Sequence, residues 1–299
     1  HRVAHLLLEG VPPERILLLT FTRRAAQEML RRAERIATQA LSNSPRAGAI
    51  HINAARLLWS GTYHSIGNRL IREYAHVVGL EPPFSVLDRG DAADLLDVVR
   101  QELGCSKKEK RFPRKDTCLA IYSHKVNSRA PLARTLQDFF PWCAEWGDDL
   151  GKLFRRYVEI KHSQQLLDYD DLLLYWHLLV QEGQLAQDIG ARFSHVLIDE
   201  YQDTNTLQAE IVMAMKPHGA GVCVVGDDAQ AIYSFRAATV ENILEFPARF
   251  SPAAEVIKLE HNYRSVQPIL DAANGLMSDS PRQYQKELRS GRAASRRPL

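Results

Sequence analysis

The chain has 299 residues, of which 45% are hydrophobic and 25% charged, and it lacks an apolar run long enough to cross a bilayer. The formal net charge of +2 excludes a globally basic surface, so any nucleic-acid-binding surface has to be local. The four scattered cysteines form no C-x-x-C pair, which excludes a cysteine-based zinc site or disulfide framework and suits a reducing cytoplasm.

The first predicted element is a helix over His1–Glu9 that has no capping residue before it and ends near Gly10. The sequence shows no signal peptide, and residues 290–299 are basic and contain no closing element. These ends predict a fragment cut at both sides, and a complete protein with frayed termini is the alternative.

A buried strand is predicted at Ile16–Leu19, followed by Thr20-Phe21-Thr22 and a helix over Arg23–Ala37 with arginines on its polar face. Thr22 suits a helix N-cap. A hydroxyl, a helix N-terminus and an exposed ring such as Phe21 also suit a nucleic-acid backbone and base.

The same arrangement follows a polar loop at Ser42–Ala49. A strand is predicted over Ala54–Trp59, then Ser60 to Ser65, then a helix over Ile66–Val78. A lone histidine such as His64 is more often a structural hydrogen-bonding group. A second strand-to-helix junction with polar and aromatic residues, including Tyr63, favours a shared ligand surface.

Residues 88–187 have a helical pattern with no strong strand, and they predict a helical insertion into an α/β domain. A basic cluster spans Lys107 to Lys115, and it is typical of a solvated face, with phosphate binding as the alternative. Asp168 to Leu172 is interpreted as the capped start of the last helix of the insertion.

The central stretch is His195 to Asp203, where a buried strand over Val196–Ile198 changes abruptly to the carboxylates of Asp199 and Glu200. Two acids at the carboxyl end of a parallel strand suit a metal-bound phosphate, one for Mg²⁺ and one for a water. The alternative is that both residues only cap the next helix.

Two further strands are predicted, at Val222–Val225 and at Val256–Leu259, with helices over Thr204–Met215 and Gln267–Leu276. If the sheet is parallel, all five strand ends line one edge, and carboxylates, an amide and an arginine gather there as in a nucleoside triphosphatase. The residues expected at this edge are Asp199, Glu200, Asp227, Gln230 and Arg264, with the rings of Phe21, Tyr63, Tyr233 and Phe235 beside Arg236 and His64.

These residues resemble, in order, the motifs of the UvrD/Rep-type DNA helicases of superfamily 1. The matching segments are Thr20-Phe21-Thr22 with Ala25-Ala26 and Met29 (motif Ia), Gly61 to Ser65 (Ib), Val196 to Asp203 (II), Val225 to Arg236 (III) and Asn262 to Ser265 (IV). The resemblance covers nearly the whole chain and is weakest over the helical insertion.

The resemblance implies an α/β fold, with a RecA-like parallel sheet flanked by helices of the P-loop NTPase type and a helical inserted subdomain. It implies four parts: residues 1–79 (motor domain 1A, first part), 80–187 (1B-like), 188–260 (1A, second part) and 261–299 (the start of 2A).

It also implies ATP and Mg²⁺ as cofactors, single-stranded DNA and single-strand/duplex junctions as partners, no membrane contact, a cytoplasmic location and 3′-to-5′ movement with duplex separation. Asp199 would hold Mg²⁺ and Glu200 would activate water, while Gln230 and Arg264 would contact the γ-phosphate. Tyr263 would stack on adenine, and Asp227 would belong to the ATP site. The implied DNA-lining residues are Phe21, Thr22, Tyr63, His64, Tyr233, Phe235 and Arg236.

The sequence departs from the family in several places. The Gly-rich P-loop with its Lys and Ser/Thr and the later motifs are absent from these 299 residues, so the chain by itself is not expected to hydrolyse ATP. Phe235 stands where Trp is frequent, Tyr63 replaces a frequent Phe, and Ala237 a frequent Gly. The alternatives are a non-catalytic single-strand-binding or partner module and the motor part of a RecB-like helicase–nuclease.

Overall fold

A parallel β-sheet lies at the centre of the computed structural model, which describes residues 1–42, 57, 59–105 and 111–292. Its strand order is β2-β1-β5-β6, and a separate two-residue ladder pairs β3 with β4. The strands are β1 (Ile16–Leu19), β2 (Ser60–Gly61), β3 (Ser85–Val86), β4 (Leu166–Leu167), β5 (His195–Ile198) and β6 (Val222–Val224).

The two central strands, β1 and β5, confirm the predictions made for them. Leu17 of β1 lies opposite Val196 of β5 in a parallel register, and both side chains are fully buried. All four side chains of β1 are buried, because helices cover both faces of a parallel sheet. Continuous aliphatic runs are therefore a reliable signal for these two strands.

Of the strand predicted over Ala54–Trp59, the structure describes Leu57 and Trp59, and neither lies in a strand. The structure has β2 at Ser60–Gly61, and the amide of Leu18 donates to the carbonyl of Trp59 over 2.9 Å. Residues 54–56 and 58 lie outside the described residues. So do residues 43–49 of the predicted polar loop, residues 107–110 of the basic cluster and residues 293–299.

The last two strand predictions need correction. β6 is only partly buried because it lies at one edge of the described sheet, and Val225 beyond it is 53% exposed. The strand predicted at Val256–Leu259 is wrong: these residues have no regular structure, and Leu259 is 80% exposed. No described segment forms a ladder of backbone hydrogen bonds with these residues. Backbone pairing in this region is limited to an isolated parallel bridge between His261 and Arg289, among the described residues.

Helices surround the sheet and form most of the region between Asp88 and Gln187, as predicted. Their bounds are α1 (Arg2–Leu8), α2 (Arg23–Ser42), α3 (Tyr63–Glu73), α4 (Arg89–Glu102), α5 (Lys115–Ser128), α6 (Leu132–Phe139), α7 (Gly147–Ser163), α8 (Tyr169–Leu179), α9 (Gly183–Arg192), α10 (Thr206–Met215), α11 (Glu241–Glu245) and α12 (Gln267–Ser278). No described helix has both the length and the apolar character that crossing a membrane requires.

The helical region shares a hydrophobic core with the sheet, because α8 packs tightly against α3. At Gly67 of α3 an added Cβ would lie 2.8 Å from the carbonyl oxygen of Leu172, so only glycine permits this approach. Leu70 and Trp176 belong to one buried cluster that also contains Val196 of the sheet. The helix that carries the predicted cap at Asp168 is therefore anchored directly on the α/β unit.

The predicted cap is present at the start of α8, and it also forms ion pairs with a buried lysine that the sequence did not predict. Asp168 and Asp171 form a reciprocal capping box, each carboxylate accepting from the other residue's amide at 2.9 Å. The ammonium of Lys161 lies 2.6 Å from a carboxylate oxygen of each, and the side chains of Lys161 and Asp168 are only 3% exposed. A buried ion-pair network thus fixes α8 to α7.

Candidate functional site

The acidic pair lies where β5 ends. The amide of Asp199 donates to the carbonyl of Leu19 over 3.0 Å, and the amide of Tyr201 donates to the carbonyl of Val225 over 3.0 Å, so the turn is held on both sides. Glu200 between them has φ of 54° in the left-handed region. Such backbone costs about 1–3 kcal/mol in a residue other than glycine and is concentrated at functional sites.

Three carboxyl groups lie at or just after this turn, those of Asp199, Glu200 and Asp203. Burial disfavours the charged form of Asp199 and of Asp203. Burial raises the pKa of Asp199, and the neighbouring Glu200 raises it further. Burial and the charge of Glu200 raise the pKa of Asp203 to about 6. A cation bound beside Asp199 would relieve this repulsion.

The described residues contain no cluster of three or more metal-ligating side chains. Mg²⁺ does not require one, since it takes one or two carboxylates together with phosphate oxygens and waters. The half-buried carboxylate of Asp199 fits that requirement.

Gln202 joins the acidic pair to the loop after β6. Its amide nitrogen donates to Glu200 Oε2 over 2.7 Å, and its amide oxygen accepts from the Asp227 backbone over 3.0 Å. The side chain is 1% exposed, and Gly226 leaves room for it, because an added Cβ would lie 2.5 Å from Gln202 Oε1. Gln202 lies in the same run as the acids, but its position in the sequence does not predict this bridging role.

The loop after β6 holds a second group of polar contacts. Gln230 donates to Asp227 Oδ2 over 2.7 Å, and Lys286 donates to the other oxygen of the same carboxylate. Burial works to raise the pKa of Asp227, but the hydrogen bonds from Lys286 and Gln230 outweigh burial and lower it. A chain of hydrogen bonds therefore runs from Glu200 through Gln202 and Asp227 to Gln230.

The predicted rings gather around one arginine. Phe21 lies 4.9 Å from Tyr233, and Tyr233 lies 5.7 Å from Phe235, between ring centroids. The guanidinium carbon of Arg236 is 5.4–5.6 Å from the centroids of all three rings. Phe235 is 68% exposed, so this cluster offers an open aromatic face beside a positive charge.

The other predicted DNA-lining residues differ in their placement. Thr22 is exposed, and its hydroxyl accepts from the amide of Ala25 over 3.1 Å, as an N-cap does. Tyr63 is 4% exposed with its ring against Trp176, so it offers no free face for stacking. Burial lowers the pKa of His64 to about 4, against the opposing charge of Asp168, so the imidazole is neutral near pH 7.

Tyr263 and Arg264 do not line the cleft that contains the acidic pair. Tyr263 is 81% exposed, with His261 as its ring neighbour at 4.4 Å. The guanidinium of Arg264 is exposed and pairs with no carboxylate among the described residues, while its backbone amide donates to the side chain of Asn262 over 2.9 Å. Lys286, from the same C-terminal segment, is the cation that reaches Asp227.

One cleft of about 490 Å³ joins the acids to the ring cluster. The predicted site residues that line it are Phe21, Tyr63, His64, Asp199, Glu200, Phe235 and Arg236. Tyr169 of α8 also lines it, and its ring lies 5.7 Å from that of His64. The cleft therefore places carboxylates suited to a metal-bound phosphate within the same opening as rings suited to nucleobases.

Comparisons with known proteins agree with this geometry. The profile described as the UvrD/REP helicase N-terminal domain matches residues 1–251. The chain is 33% identical over 297 residues to the ATP-dependent DNA helicase PcrA of Leuconostoc citreum, covering 96% of this chain and 36% of that protein. It is 33% identical over 291 residues to DNA helicase II of Escherichia coli and 32% over 292 residues to that of Haemophilus influenzae, covering 96% of this chain and 37% of each relative.

Proposed function

Because the chain belongs to the UvrD/REP helicase family, we propose that the protein containing it hydrolyses ATP to move along single-stranded DNA and to separate duplexes. The observation that carries the proposal is the single cleft lined by both the Asp199–Glu200 pair and the Phe235–Arg236 pair. The chain spans only 36–37% of the length of the relatives named above, so this activity is proposed for the longer protein.

In this proposal the acidic end of the cleft handles the nucleotide. Asp199 would hold Mg²⁺, which would neutralise phosphate charge when bound, and Glu200 would accept a proton from the attacking water. The bond from Gln202 orients the Glu200 carboxylate, because it occupies one oxygen and leaves the other for water. Gln230 contacts the terminal phosphate, and Asp227 holds Gln230 until the nucleotide is bound.

Tyr263 and Arg264 belong to the same proposal as the residues that stack on adenine and contact the γ-phosphate. Their exposed side chains have to approach the acidic pair for this, so ATP binding requires the segment with Tyr263 and Arg264 to move. The proposed domain division at residue 260 matches this requirement, with residues 80–187 as the helical insertion.

The aromatic end of the cleft takes the single strand. Phe21, Tyr233 and Phe235 stack on bases, Arg236 contacts a phosphate or a base face, and Thr22 and neutral His64 offer uncharged hydrogen-bonding groups. Tyr63 is given a packing role instead of a stacking role, because it is buried against Trp176.

We expect residues 1–299 alone to lack ATP turnover, because no Gly-rich P-loop is present to surround the β- and γ-phosphates. An ATPase assay of the isolated chain measures this directly. DNA-stimulated turnover by residues 1–299 would contradict the expectation.

The decisive experiment uses the longer protein and two tailed duplexes. A fluorescent duplex with a 3′ single-stranded tail is expected to be unwound with ATP and Mg²⁺, while a duplex with a 5′ tail stays intact. Unwinding of the 5′-tailed duplex alone would overturn the 3′-to-5′ direction. A folded protein that binds single strands but unwinds neither duplex and hydrolyses no ATP would favour the non-catalytic module.

A further inference from the structure

Lys286 makes an ionic contact with two neighbouring carboxylates. The function proposed above gives this lysine no role. Its ammonium donates to Asp227, and it lies 2.8 Å from Asp228 Oδ1. The Lys286 side chain is 18% exposed and that of Asp228 only 3%. Asp228 also accepts from the amide of Tyr284 over 3.0 Å. The segment after α12 is therefore bound to the loop after β6 at a partly desolvated point.

The segment that carries Lys286 is also bound to the residues around motif IV. The amide of Glu287 donates to the Glu260 side chain over 3.0 Å, and the amide of Asn262 donates to the carbonyl of Arg289 over 2.7 Å. Both bonds are made directly before Tyr263 and Arg264 in the chain. Lys286 thus provides a charged contact between Asp227 and the part of the chain that carries Tyr263 and Arg264.

The geometry points to Lys286 as a positioning residue for ATP hydrolysis, one that keeps Asp227 neutralised when Gln230 leaves it to contact the terminal phosphate. This inference rests on the proposed function. It also couples residues 261–292 to the acidic pair, because Asp227 is bonded to Gln202 and Gln202 to Glu200.

The electrostatics of Asp227 explain why a second donor is needed. The Asp227 carboxylate accepts from two side chains, Gln230 and Lys286, and from the backbone amide of Ala229 at 3.1 Å. A charge-assisted hydrogen bond is roughly twice as strong as a neutral one. If Lys286 were absent, the half-buried carboxylate would hold Gln230 more firmly, and releasing Gln230 would leave it paired only with the backbone.

The test measures DNA-stimulated ATP turnover in the longer protein with Lys286→Met, Lys286→Arg and the double variant Asp227→Asn/Lys286→Met. We expect Lys286→Met to lower kcat by about 10- to 100-fold, the loss typical of a slightly misplaced reacting group, with an unchanged KM for ATP. Arginine keeps the charge and should retain most of the turnover. The double variant should exceed Lys286→Met, because an uncharged amide in place of the Asp227 carboxylate releases Gln230.

Lys258→Met is the matched control, since Lys258 is an exposed lysine of the same region and, among the described residues, its ammonium donates to the carbonyl of Gln285 over 2.6 Å and pairs with no carboxylate. Its turnover should equal that of the wild type. Wild-type kcat in Lys286→Met, or a loss in kcat that only parallels the loss of thermal stability and is not reduced in the double variant, would overturn the role of Lys286. In both cases the Glu200→Gln variant would still be inactive, so the proposed function would stand. A wild-type protein without ATP turnover would overturn both.

Discussion

Removing the ring of Phe235 tests whether the aromatic cluster binds single-stranded DNA. The ring is 68% exposed and lies 5.7 Å from Tyr233 and 5.6 Å from the Arg236 guanidinium carbon. Because so little of it is buried, Phe235→Ala should leave the fold intact. Its effect should therefore fall on ligand binding rather than on stability.

The magnitude follows from the energy of base stacking. One base on one aromatic ring contributes about 1–3 kcal/mol, so loss of this ring should weaken binding of a single-stranded oligonucleotide by about 5- to 150-fold. Phe235→Trp keeps a larger face and should bind at least as tightly as the wild type. The salt dependence should be unchanged in both variants, because no phosphate contact is removed.

Fluorescence anisotropy of a labelled oligonucleotide, measured over a salt series, gives both the affinity and its salt dependence. Trp142→Ala is the matched control, since Trp142 is 69% exposed and lies outside the cleft lining. A stacking role for the Phe235 ring is excluded if Phe235→Ala binds as tightly as the wild type, or if Trp142→Ala weakens binding equally.

Two further predictions concern the stability of the described structure. Lys161→Met leaves the buried carboxylates of Asp168 and Asp171 without their ammonium partner. It should lower the free energy of unfolding, measured in urea, by about 3–5 kcal/mol. Lys152→Met, at an exposed lysine of the same helix, is the control and should have little effect, and equal losses in the two variants would contradict this. Because the pKa of Asp203 is raised to about 6, its stabilising contribution is present at low pH and is lost as pH rises through 6. Urea unfolding from pH 4 to 7 should therefore show a smaller loss of stability in Asp203→Asn than in the wild type, and parallel profiles would refute the assignment.

The local parts of the fold and site were predictable because short-range patterns encode them. Four consecutive aliphatic residues at Ile16–Leu19 specify a strand buried on both faces. The sudden change to Asp199 and Glu200 marks the carboxyl end of the neighbouring strand β5. The cap at Asp168 likewise depends on a residue three positions away.

The remaining features depend on contacts between distant residues. Val256–Leu259 has the composition of a strand, but a strand also requires a partner backbone, and none of the described segments supplies one. The burial of Tyr63 could not be predicted, because a ring at a strand end is exposed or buried according to what packs beside it, here Trp176. The pairing of Lys286 with Asp227 spans 59 positions and has no signature in sequence spacing.

ATP turnover and single-strand binding, measured in the same preparation of the Glu200→Gln protein, separate the proposed chemistry of the acidic pair from DNA binding. The substitution removes the proposed general base but keeps an oxygen that can accept from Gln202. We expect DNA-stimulated turnover to fall by about 10²–10⁴-fold while affinity for the oligonucleotide stays at the wild-type value. Turnover close to that of the wild type would exclude Glu200 as the general base.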